Sequence, residues 1–99
     1  MYKCLILNVN KTHEVRVLDH ENLESLLGKI TFVGAIPELE AFVVGSIDPV
    51  QKKLNPFCKN KDYFEENVKG DVIVVGSDKN GNGMDLDCEK AIEFVTSNE

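Results

Sequence analysis

Gly70-Asp71-Val72-Ile73-Val74-Val75-Gly76-Ser77-Asp78-Lys79-Asn80-Gly81-Asn82-Gly83-Met84-Asp85-Leu86-Asp87-Cys88-Glu89 carries the chain's strongest structural signal and its only complete chemical motif. Val72 to Val75 is an uninterrupted β-branched run bounded by Gly70 and Gly76, the pattern of a strand. It is apolar on both faces, so it predicts a central strand covered on both sides. The Asp/Asn/Gly stretch after it supplies residues that tolerate positive φ and reverse the chain. Cys88, Ala91, Ile92 and Val95 then recur at helical spacing, predicting a C-terminal helix whose inner stripe packs on the sheet. Asp87 is its natural N-cap, and Glu89 opposes the positive helix end.

Residues 78 to 89 also satisfy the EF-hand calcium-loop pattern D-x-[DN]-x-[DN]-G-x5-E. On that reading Asp78, Asn80 and Asn82 take ligand positions 1, 3 and 5, Gly83 makes the sharp turn, Met84 offers its carbonyl, and Glu89 binds bidentately. The context opposes it. A strand rather than a helix leads in, and Asp85 stands where an aliphatic residue belongs. Two neutral Asn ligands would push affinity toward ~10⁻⁴–10⁻³ M. A turn from strand to helix explains the same residues without a metal, so no metal site is assigned and calcium stays an alternative.

The rest of the chain fits around this unit. Tyr2 to Val9 reads as a buried strand and Glu14 to Val17 as a half-buried one, with the turn at Asn8, Asn10, Lys11 and Thr12 making an N-terminal hairpin. Asp19 caps a short helix with Leu23, Leu26 and Leu27 on one face, stopped by Gly28. Ile30 to Ile36, interrupted by Gly34, and Ala41 to Val44, closed by Gly45, form a second hairpin broken at Pro37-Glu38. Asn55-Pro56 marks a turn, and Lys61 to Val68 reads as one or two helical turns. The expected architecture is one α+β domain over residues 1–99. It has a mostly antiparallel sheet of about five strands, two short helices on one face, and the C-terminal helix packed on the sheet.

Composition narrows the function classes. Seventeen acidic against eleven basic residues give a net charge of −6, which argues against nucleic acid as a direct ligand because phosphate binding needs clustered Lys and Arg. The carboxylates are too sparse for a DNA mimic. No apolar run approaches the roughly 20 residues that span a membrane, and the N-terminal stretch lacks a signal-peptide cleavage site. Cys4, Cys58 and Cys88 are odd in number and form no C-x-x-C, so they read as reduced thiols in a cytoplasmic protein.

Catalytic constellations are missing. A small thiol enzyme would rest on Cys58, the one cysteine expected in a loop, and on His13 or His20, both expected exposed beside turns. The carboxylate pairs Glu38/Glu40, Glu65/Glu66 and Asp85/Asp87 read as solvated faces. Phe57, Tyr63 and Phe64 cluster around one loop, either capping the core or marking a partner surface. The open edge of the first hairpin could support a homodimer, although no sequence pattern specifies one.

Leu54-Asn55-Pro56, Gly70 to Gly76, Asp78-Lys79-Asn80-Gly81 and Leu86-Asp87-Cys88-Glu89 together resemble a family of small domains of unknown function encoded by bacteriophages, plasmids and other mobile elements. The resemblance covers residues 54–95. Asp87 departs from the family's Ser or Thr, though all three residues cap helices. It implies a host-cell cytoplasmic setting, brings no catalytic residues, and favours 78–89 as a turn. The expected function is a small acidic non-catalytic binding protein acting on a host protein, in counter-defence or regulation.

Overall fold

The computed structural model describes residues 1–97. The strands are β1 (Tyr2–Leu7), β2 (His13–Leu18), β3 (Ile30–Ile36), β4 (Ala41–Ser46), β5 (Val72–Ser77) and β6 (Gly83–Met84). The helices are α1 (His20–Leu27) and α2 (Cys88–Ser97), and a 3₁₀ turn over Pro37–Leu39 joins β3 to β4. The sheet runs β2-β1-β5-β4-β3, antiparallel throughout, with β6 paired to the end of β5. The α+β class, the central position of β5 and the packing of α2 on the sheet agree with the sequence reading.

The two helices lie on opposite faces, not on one. Leu5, Leu7, Val43, Val72 and Val74 pack with Ala91 and Val95 of α2. Cys4, Ile6, Val44 and Ile73 pack with Leu23 and Leu27 of α1 on the other side. The reason is period-2 alternation: β1, β4 and β5 carry apolar residues at both parities, so each face must be covered. Helix α1 begins at the Asp19 capping box and ends at Gly28, whose φ of 74° suits glycine.

The long connection between β4 and β5 crosses the α2 face, placing Phe57, Cys58, Phe64 and Val68 in the core. Asn55, 2% exposed, fastens it. Its Nδ2 donates to the Leu7 carbonyl at 3.0 Å and the Gly70 carbonyl at 2.9 Å, while its Oδ1 accepts from the Phe57 N–H at 3.0 Å. A single amide thus ties β1, the loop and the entry to β5.

Residues 61–68 form no helix: one turn closes on the Asn60 carbonyl, which accepts from the Tyr63 and Phe64 N–H groups, and the rest is irregular. Their backbone groups pair with β3: Ala35 N–H donates to the Tyr63 carbonyl at 2.9 Å and Glu65 N–H to the Val33 carbonyl at 2.8 Å. Groups used across to a strand cannot also close helical turns. Gly34 permits this approach, because a Cβ there would lie 2.5 Å from the Tyr63 oxygen. Strand β4 also runs on through Gly45. Strand β2 is more exposed than expected, with only Leu18 buried, where it packs with Leu23 of α1.

Candidate interaction surface

The loop after β5 is held by its own first residue. The Asp78 carboxylate accepts from the backbone N–H groups of Asn80 and Asn82, both at 2.9 Å, and from Asn82 Nδ2 at 3.3 Å. Asp78 N–H donates to the Asn82 carbonyl and Gly81 N–H to the Asp78 carbonyl. These bonds, led by the one from the Asn82 backbone, hold the Asp78 carboxyl below its ordinary value. The chain then forms β6 against Gly76 and Ser77, a strand the sequence reading did not foresee. Glu89 lies beyond it, exposed in the first turn of α2. Asp87 caps that helix, accepting from Lys90 N–H at 3.2 Å. Among the described residues no group of three or more His, Cys, Asp and Glu side chains is placed to hold a metal.

The cysteines are set away from chemistry. Cys58 lies in the loop as expected but is buried, and burial pushes its thiol up to about 12. Burial does the same to Cys4, to about 11, and raises Cys88 as well. A thiol protonated this firmly is a poor nucleophile at neutral pH. Both histidines are exposed, His20 lying 3.3 Å from Glu24 within α1.

Of the three aromatic candidates, Phe57 and Phe64 are core side chains, 1% and 4% exposed. Tyr63 is half-buried, with its ring edge-on to Phe94 at 4.9 Å and its hydroxyl donating to Glu38. That hydrogen bond is the chief cause raising the Tyr63 hydroxyl above its usual range. They cap the core beneath the loop and do not form an exposed patch.

The exposed aromatic pair is elsewhere. Phe32, 64% exposed, and Phe42, 40% exposed, stand with ring centroids 5.5 Å apart on the α1 side of β3 and β4. Phe42 lies two residues from Val44 on β4 and so shares the face of Phe32, and a β-bulge follows Phe32. Phe32 is opposite Val44 and Gly34 opposite Val43, leaving Val33 as the extra residue. Val33 lies in the α2-side core by alternation from Phe32, and the bulge returns Ala35 to the face that carries Phe32 and Phe42. Helix α1 covers the opposite part of this face and leaves the pair open.

Two recesses flank Phe42 and Ala35. One, of about 600 Å³, is bordered by Phe32 and residues 61–65; the other, of about 520 Å³, by Pro37, Glu40, Met84 and Asp78. Their exposed rim carries the carboxylates of Glu40, Asp62, Glu65 and Asp78 and the ammonium groups of Lys61 and Lys79. Lys61 is paired with Glu66 at 2.9 Å. The result is an aromatic, apolar centre in an acidic border. The sequence does not show that Phe32 and Phe42 stay exposed, because which part of this face α1 covers follows from the strand order and not from local pattern.

Comparison of the chain with family models, curated proteins and solved structures finds no match.

Proposed function

We propose that this protein is a non-catalytic binding domain whose docking surface is the Phe32–Phe42 face. The observation that carries the reading is the exposed aromatic pair itself. Two phenyl rings left in water on the β3–β4 end of a sheet face forgo their burial energy, and aromatic anchors with a polar rim are the usual core of a protein interface. The acidic border selects the partner's chemistry: an apolar or aromatic side chain flanked by Lys or Arg, drawn in by opposite charge. The resemblance of residues 54–95 to mobile-element domains motivates a bacterial host protein as that partner, met in the cytoplasm. High thiol pKa values and the dispersal of the histidines leave a thiol enzyme without support.

The test is affinity capture from bacterial lysate followed by direct titration of the captured protein. Phe32→Ser with Phe42→Ser should abolish capture and weaken the titrated affinity by about 30-fold or more. Val50→Ser, at a residue 97% exposed and outside the recesses, should leave both unchanged. Equal capture by all three proteins would refute the docking surface.

A further inference from the structure

The two ends of the sheet are treated differently. At β3 the outer edge is paired with residues 63–65, through the Ala35 and Glu65 N–H groups and the bridge between Gly34 and Phe64. At β2, no backbone hydrogen bond or bridge among the described residues reaches the outer edge. Open edges in monomers are commonly blunted by inward charges, proline or a covering segment. Strand β2 instead presents Val15 and Val17, 46% and 55% exposed, on the face where Val15 stands opposite the core residue Leu5.

The direction of the free backbone groups follows from β1. Lys3 is opposite Val17, yet its N–H donates to the Asp85 carboxylate at 2.8 Å and its carbonyl accepts from Leu86 N–H at 3.0 Å, both on the β6 side. Lys3 therefore does not bond to Val17. At the turn, Asn8 N–H donates to the Thr12 carbonyl at 2.9 Å. Antiparallel pairs alternate, so Glu14, Arg16 and Leu18 bond to β1, while His13, Val15 and Val17 turn their N–H and C=O groups outward.

We infer that β2 is a homodimer interface, pairing antiparallel with β2 of a second copy about a two-fold axis at Val15, so that the two sheets become one. The sequence His13-Glu14-Val15-Arg16-Val17 complements itself in this register. Val15 meets Val15 of the second copy and His13 meets Val17, each pair exchanging the outward backbone groups. Glu14 meets Arg16 twice, in the non-hydrogen-bonded pairs where side chains come closest. Within one copy Glu14 and Arg16 already lie 3.0 Å apart, so the charges need only exchange partners. Shifting the axis to Arg16 would set Arg16 against itself and Glu14 against Leu18. Charge thus selects one register, and a two-fold axis is the commonest symmetry of homo-oligomers. This surface is separate from the Phe32–Phe42 face and stands or falls independently of it.

Sedimentation equilibrium of the purified chain tests the inference. The wild type should approach twice its monomer mass of 11.1 kDa as concentration rises. Glu14→Arg alone and Arg16→Glu alone should each weaken dimerisation by about tenfold or more, and the two together should restore it to within about twofold of wild type. Val15→Pro removes the central outward N–H and should give a folded monomer, since proline is tolerated where an edge N–H faces solvent. Circular dichroism checks that each variant is folded. A wild type that stays monomeric at every concentration would overturn the inference, leaving the edge to a strand from another protein. A dimer indifferent to the charge swaps and to Val15→Pro would overturn it too.

Discussion

Asn55 is a single buried amide on which three segments converge, and its removal should cost more than any surface substitution. Asn55→Ala deletes two donated hydrogen bonds and one accepted, leaving the Leu7 and Gly70 carbonyls and the Phe57 N–H without their partner. At roughly 0.5–1.5 kcal/mol net for each, the three bonds sum to about 1.5–4.5 kcal/mol. The site is 2% exposed, so water does not replace the amide and the upper half of that range applies. With a urea m-value near 1.3 kcal/mol/M, a loss of about 3 kcal/mol lowers the unfolding midpoint by roughly 2.3 M. Asn10→Ala is the control: Asn10 Oδ1 also accepts a backbone bond, from Thr12 N–H at 3.0 Å, but in an exposed turn. It should cost less than about 1 kcal/mol. Equilibrium urea unfolding followed by circular dichroism measures both. If the two variants shift the midpoint equally, the amide does not hold the loop as argued.

Gly34→Ala should destabilise by about 2–4 kcal/mol, because the new methyl meets the Tyr63 carbonyl and displaces its hydrogen bonds; thermal melts would show it. Asp78 is a pH-sensitive element. Its folded carboxyl sits below the ordinary 3.8, so the stability it contributes is complete above that value and is lost as pH falls through the lower folded one. The gap between wild type and Asp78→Ala should accordingly narrow as pH falls below 3.8, and a gap independent of pH would contradict the turn geometry. Calorimetric titration with millimolar calcium should give no saturable heat; a heat abolished by Asp78→Ala would restore the metal reading. Native Cys58 should react with a disulfide reagent only at the rate of local opening, and later than Cys88, as peptide mapping would reveal.

What was legible in the sequence was what local pattern dictates. Val72 to Val75 announced a central strand because an apolar run without alternation needs cover on both faces. Asp19 and Gly28 marked the ends of α1 because caps are local chemistry. Non-local choices were not legible. Nothing in Leu23 or Ala91 says which face of the sheet each helix will cover; that follows from the strand order. Lys61 to Val68 looked helical because spacing cannot show that 63–65 would donate and accept across to β3. The choice between core and surface for the aromatic residues is non-local in the same way. Phe57, Tyr63 and Phe64 cluster in sequence, but their burial depends on how Asn55 fastens the loop across the sheet. In the sequence Asn55 is only a turn residue before proline, and its deeper role rests on carbonyls 15 and 48 residues away.

The seal that residues 63–65 place on β3 sets the valence of the molecule. A sheet with two free ends adds copies without limit, and strand addition then becomes fibre growth. In the pairing inferred above, residues 63–65 already occupy the middle of the outer edge of β3, so two copies joined through β2 would not extend further through that part of the sheet. The absence of a side chain at Gly34, which admits that seal, would then be what keeps such an association finite.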